Sequence, residues 1–265
     1  MAGGEGSVPA SCCIAPCSPL TKMEAIMLNT LGIVKGMLLT EKQRHHIARH
    51  LEGKSVLEWV IRQMTDSELL NGVVVTAEEG PRGELVRVIA PCDISVYSTK
   101  AQDTATAVQD TLEHFSAESC VLIGADWPFL DSELIDRLVR TAQKTEGCDY
   151  AAYLSMNDVF SAGRPYGLFP EWYSNSSLRK LVAKTNDPVY RQMPGTFFLD
   201  HKDSYHVAML HVPAGLDRVE DMKFTFEDEE DWDNILELHS ALSLEVLDSN
   251  KVGNLLDTRC GRVQN

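Results

Sequence analysis

The stretch Cys120–Asp136, CVLIGADWPFLDSELID, constrains the fold more than any other part of the chain. Cys120 to Gly124 is a short apolar run of the kind a strand buried on both faces requires. Pro128 has no amide hydrogen to give a ladder and ends the strand, so Asp126 falls just past its carboxyl end. Asp131 or Ser132 then caps a helix whose apolar positions, Leu134, Ile135, Leu138 and Val139, recur at helical spacing. Open α/β sheets bind ligands beyond the carboxyl ends of their parallel strands. Asp126 is therefore a candidate ligand-binding group, with a turn or capping aspartate as the structural alternative.

Strand and helix signals alternate along the rest of the chain. Glu24–Leu28, Gly72–Ala77, Asp93–Tyr97, Asp149–Ser155 and His206–Val212 read as strands. Between them, Gly53–Met64, Arg82–Ile89, Gln102–His114 and Ser176–Lys184 read as helices, the first with Val56, Leu57, Val60, Ile61 and Met64 on one face. This alternation predicts a doubly wound, mainly parallel sheet. Asn29–Gly36 then reads as the loop after the first strand, where nucleotide-binding folds hold phosphates with backbone amides and a basic side chain, here Lys35. Thr40–His50 reads as a polar helix. His46 and His50 are four apart on it, a metal spacing, but without an HExxH pattern a solvated face is the better reading.

Composition sets limits. The 265 residues suffice for one large α/β domain, and a net charge of -15 argues against nucleic-acid or anionic-membrane partners. No apolar run reaches the roughly 20 residues that span a bilayer. Seven irregularly spaced cysteines read as reduced thiols of a cytoplasmic protein, and Cys12, Cys13 and Cys17 lack a fourth zinc ligand. Residues 1–22, rich in Gly, Ser, Pro and Ala, read as a disordered leader, 23–245 as the domain and 246–265 as a tail. There is no GxSxG, P-loop or GxGxxG signature.

The string GADWPFLDSELIDRLV resembles the G-D-x-P-L-I-D-x-E-L-I-D segment of the cytidylyltransferases, above all the spore-coat polysaccharide biosynthesis type related to CMP-Kdo synthetases. GKSVLEWVIRQM resembles that family's G-K-P-L-L-E-H-V-I-x-R-L helix, and GLFPEWYS its G-L-D-V-E-V-F-S segment. The resemblance implies a three-layer α/β/α fold of the nucleotide-diphospho-sugar transferase type, a homodimer, and transfer of a nucleotidyl group, CMP from CTP, to a sugar or sugar acid. It implies Mg²⁺ on Asp126, with Glu227, or Asp228 one residue on, at the place of the family's second aspartate. Lys35 and Asp126 become the catalytic candidates. Leu28, Asn29, Gly32, Lys35 and Ala125 become the nucleotide-binding set, and Gly167, Glu171 and Arg191 the acceptor set. Trp172 and Tyr173 are pocket candidates or plain core aromatics. The family's A-R-x-G-S-x-R-L-P-G-K loop finds only NTLGIVKGM here, without the arginines. That departure, with Glu for Asp at 227, supports an alternative, a catalytically impaired protein of the same fold acting as a binding partner. A change of base is a third reading.

Overall fold

The computed structural model describes residues 28–154, 167–213, 224 and 229–242. A seven-stranded sheet runs β5 (Ser95–Thr99), β4 (Val73–Glu78), β1 (Leu28–Lys35), β6 (Ala117–Gly124), β8 (Glu171–Ser174), β7 (Tyr150–Leu154), β9 (Val207–His211). A separate two-stranded ribbon pairs β2 (His50–Leu51) with β3 (Lys54–Ser55). Six strands of the large sheet are parallel to a neighbour, whereas β8 is antiparallel to both β6 and β7.

Alternating side chains send the sheet's two faces into two cores. Val34, Val121, Ile123 and Trp172 meet α2 (Val56–Thr65), α5 (Ser132–Lys144) and α9 (Glu229–Leu242) on one side. Leu31, Ile33, Cys120, Leu122 and Tyr173 meet α4 (Thr104–His114), α6 (Asn175–Lys184) and α8 (Pro194–Asp200) on the other. The result is the three-layer α/β/α arrangement, with α3 (Pro81–Ile89) joining β4 to β5. Helix starts are chemically set: the side chains of Ser55, Asp103, Asp131 and Ser174 each accept a first-turn amide. The short α1 (Glu41–Ile47) carries a full capping box between Thr40 and Gln43.

Two expectations need correction. Among the described residues the first strand is Leu28–Lys35, and residues 24–27 of the expected strand lie outside them, so Asn29 and Gly32, read as loop, belong with Leu28 to a strand and the loop begins at Gly36. Asn29 and Thr30 look like loop residues, yet tertiary bonds hold them in the sheet. Ser119 Oγ donates to the Asn29 carbonyl at 2.6 Å, and Thr30 N donates to Asn71 Oδ1 at 2.9 Å. Gly32 is a packing glycine, since a Cβ there would stand 2.9 Å from Leu70 Cδ1 and 3.1 Å from Met64. The solvated histidine face is also not formed: His46 is buried, and α1 ends at Ile47, before His50. The stretch around Arg191, for which the sequence offered no element, folds as α7 (Pro188–Gln192) and then α8.

Among the described cysteines Cys120 and Cys148 are buried free thiols and Cys92 is exposed. Burial pushes the Cys148 thiol up to about 11. No helix among the described residues is long and apolar enough to cross a membrane.

Candidate active site

The chain runs outward from β1 to β4 and β5, then returns to the other side of β1 as β6. That reversal opens a crevice between the carboxyl ends of β1 and β6. Strand register does the rest. Lys35, the last residue of β1, pairs with Gly124, the last residue of β6, and the Ala125 amide donates to the Lys35 carbonyl at 3.2 Å. Because β8 is antiparallel, its first residue, Glu171, lies at the same sheet end, opposite Leu122. Lys35, Asp126 and Glu171 thus converge on one cavity of about 290 Å³.

Its walls come from four places. Leu38, Leu39 and Gln43 follow β1; Gly124, Asp126 and Trp127 follow β6; Phe169 leads into β8; and Thr104 faces Gln192, Met193 and Pro194 at the junction of α7 and α8. Leu38 holds φ 57, a left-handed conformation that a bulky residue adopts at a cost on the order of 1–2 kcal/mol. Gly124 leaves no space for a side chain, since a Cβ would stand 2.6 Å from Trp127 Nε1 and 2.7 Å from Asp126 Oδ1.

Asp126 is 8 % exposed, and burial pushes its carboxyl above the usual carboxylate range. Lys35, the residue's own amide, Gln43 and His46 offset part of that rise, Gln43 by donating to Oδ2 at 3.4 Å. Glu171 is also pushed up by burial, with the Tyr150 and Tyr173 hydroxyls and then Lys35 opposing the rise. Tyr150 donates to its Oε1 at 2.6 Å and Tyr173 to its Oε2 at 2.8 Å.

Of the residues singled out in the sequence, Leu28, Asn29 and Gly32 lie away from the cavity along β1. Ala125 is buried behind the turn, and Gly167, at φ 75, turns the chain toward β8 without lining the cavity. Arg191 is spent on structure. Its guanidinium donates to the Thr185 and Val182 carbonyls, Thr106 Oγ1 and Asn186 Oδ1, tying α7 to α4 and α6. Glu227 and Asp228 lie outside the described residues. Sequence reasoning missed Gln43, Trp127, Thr104, Gln192 and Tyr150. Trp127 stood beside Asp126 in the same string, whereas the others come from elements whose approach to the cavity only the folded topology creates.

Among the described residues no three His, Cys, Asp or Glu side chains cluster to hold an ion. A lone buried carboxylate still suits Mg²⁺, which keeps several waters and is bound by one or two carboxylates plus substrate phosphates. Asp126 fits that requirement, because a cation beside it would relieve the burial of its charge.

The sequence profile of the MobA-like NTP transferase domain matches residues 44–192. None of the curated proteins matches the chain in sequence. Among solved structures, a cytidylyltransferase from Leptospira borgpetersenii serovar Hardjo-bovis (strain JB197) is similar, with a TM-score of 0.74 and 17% identity over 90% of this chain and 98% of that one. CMP:2-keto-3-deoxy-manno-octonic acid synthetase complexed with CTP gives 0.59 at 7% identity, covering 80% and 98%. A protein of Mycobacterium tuberculosis H37Rv complexed with manganese gives 0.55 at 16% identity, covering 80% and 99%. The shared feature is the fold.

Proposed function

Because the chain belongs to the MobA-like NTP transferase family, we propose that it transfers a nucleotidyl group to a sugar or sugar acid and releases pyrophosphate, with CTP the favoured donor. The observation that carries this reading is the register of Lys35 against Gly124, which brings an ammonium and the Asp126 carboxylate into one cavity at the reversal of the sheet. A Leptospira cytidylyltransferase and a synthetase complexed with CTP share the fold, which favours cytidine over the other bases. The product would be an activated sugar of the kind that surface-polysaccharide synthesis consumes.

In such a transfer an acceptor oxygen attacks the α-phosphorus and the bond to the bridging oxygen breaks. Pyrophosphate leaves with that oxygen, and the acceptor's proton passes to solvent. Lys35 places a positive charge against the phosphates and steadies the charge that builds on them. The Trp127 and Phe169 rings with Leu38 and Leu39 limit water at the reacting centre. Asp126 would hold Mg²⁺, with Glu227 or Asp228 as a second carboxylate. When bound, that ion neutralises phosphate charge and polarises the phosphoryl oxygen.

One observation favours a second reading. The loop after β1 turns Leu38 and Leu39 toward the cavity, where a triphosphate calls for cations. A protein that kept the fold as a binding partner and bound no nucleotide would tolerate them. Thermal denaturation with CTP, UTP, GTP or ATP, each with and without Mg²⁺, separates the two. A nucleotide at about 100 times its Kd adds roughly 2.7 kcal/mol to the native state. For a chain of this size that is a rise of roughly 5–10 °C in Tm. A metal-dependent rise in the wild type that a folded Asp126→Ala variant loses supports transfer. No rise with any nucleotide at millimolar concentration supports the binding partner.

A further inference from the structure

We propose that Glu171, fixed by Tyr150 and Tyr173, binds a pair of neighbouring hydroxyl groups of the substrate, so that the cavity reads a vicinal diol beside the phosphate site. This rests on the nucleotidyl-transfer reading and adds to it the part of the ligand that faces β8.

Glu171 in this wall is at first sight a waste of stability. A carboxylate drawn into a protein wall is disfavoured unless its oxygens are satisfied. Here each oxygen accepts one tyrosine hydroxyl, Tyr150 at 2.6 Å and Tyr173 at 2.8 Å. Both rings are themselves fully buried: they lie 5.1 Å apart between β7 and β8, and each packs on Phe198. The backbone of α8 closes one side. A Cβ on Gly195 would collide with Glu171 Oε1 and stand 2.5 Å from the Tyr150 hydroxyl, so only glycine admits this arrangement. The carboxylate is therefore held in one orientation while remaining part of the cavity wall.

An ionised carboxylate offers about four lone-pair positions, and the tyrosines take two. What remains is one acceptor site on each oxygen, spaced like two hydroxyls on adjacent carbons. Charge selects the donor. Phosphates and acceptor carboxylates are repelled by Glu171, so they belong nearest Lys35. Neutral hydroxyls are what the Glu171 side accepts. Such a diol is present on the nucleotide ribose and on the acceptor sugar alike.

Two arms distinguish these sources, both on the full chain with Mg²⁺. The first is calorimetric titration with CTP and with 2′,3′-dideoxy-CTP, for wild type, Glu171→Gln, Tyr150→Phe and Tyr173→Phe. The second is pyrophosphate release with CTP and a set of sugar acids and sugar phosphates, each beside its monodeoxy counterparts. If the ribose is read, wild type prefers CTP over the dideoxy compound about tenfold or more, and the three variants lose most of that preference. Tyr150→Phe and Tyr173→Phe still bind the dideoxy compound as wild type does, and Glu171→Gln, with one repelling charge removed, binds it at least as tightly, results that disrupted folding would not give. If the acceptor is read, the same narrowing occurs in kcat/KM for the deoxy acceptors alone. Equal discrimination by wild type and Glu171→Gln in both arms overturns the proposal while leaving nucleotidyl transfer intact. Failure of wild type to bind either nucleotide overturns both.

Discussion

Gly124→Ala is the most direct probe of the site, because one added carbon reaches the carboxylate on which the functional reading depends. An ideal Cβ at Gly124 stands 2.7 Å from Asp126 Oδ1 and 2.6 Å from Trp127 Nε1, whereas ordinary contact begins at 3.4 Å. The carboxylate must retreat by about 0.7 Å and the indole by about 0.8 Å, or the end of β6 must shift. Overpacking of this kind costs about 1–3 kcal/mol, equivalent to a Tm lower by roughly 2–12 °C in a chain of this size. The functional cost is larger in proportion. A misplacement of about 1 Å in a reacting group can lower the rate by about 10²-fold, so affinity for Mg²⁺–CTP and turnover should fall about 10- to 100-fold. Gly72→Ala is the matched control, since its Cβ would meet only Leu31 Cδ1, at 3.9 Å. It should change neither quantity measurably. Calorimetric titration with Mg²⁺–CTP gives the affinity, and urea denaturation gives the stability. A folded Gly124→Ala protein with wild-type affinity would refute the placement of Asp126 against the nucleotide and its metal.

Asp126→Asn should separate function from stability. Burial raises the Asp126 carboxyl, so the folded chain holds that proton more tightly than the unfolded one does. Its stabilising contribution is complete below the ordinary carboxylate pKa and is lost as pH rises through the raised value. Asparagine has no such dependence. In urea denaturation from about pH 4 to 7 the variant's stability should therefore gain on the wild type's as pH rises, while nucleotide binding is lost. A constant difference across that range would refute the assignment. Arg191→Ala removes four donated hydrogen bonds from the α7 strut. It should lower stability by about 2 kcal/mol in urea denaturation and change CTP affinity only a few-fold. Unchanged stability with lost affinity would instead make Arg191 a ligand contact.

The unit Cys120–Asp136 was readable because three independent constraints agree there: an apolar run, a proline stop and a helix cap. The structure places the strand end at Gly124, and the Asp131 side chain caps Ser132–Lys144, as that reading expected. Lys35 was readable as a basic residue near the first turn. Glu171 was reached through a likeness to a segment, but nothing in GLFPEWYS states that its strand runs antiparallel. That direction decides where Glu171 lies. A parallel β8 would have begun at the far end of the sheet and carried the carboxylate away from Asp126. The wall formed by Gln192, Met193 and Pro194 was harder still, since α7 and α8 are too short for a periodic pattern, α7 being held by Arg191 and α8 by Phe197 and Phe198.

The first loop shows how a correct resemblance can be laid on the wrong residues. Setting an arginine-bearing phosphate loop against NTLGIVKGM compares a loop with what is here mostly strand, because Leu28–Lys35 pairs with β6 along its length. The profile match begins at residue 44, beyond that strand and the turn after it. The absent arginines therefore say little about residues 29–35. What bears on nucleotide affinity is the set that lines the cavity, in which the charged members are Lys35, Asp126 and Glu171. With both carboxylates ionised, that set is net negative before any triphosphate arrives. On the proposed reaction Lys35 alone would not offset the donor's charge, so a divalent ion beside Asp126 would supply the remainder and Glu171 would meet a part of the substrate that carries no charge. The same electrostatics thus account for both the expected metal dependence and the hydroxyl-reading side of the cavity.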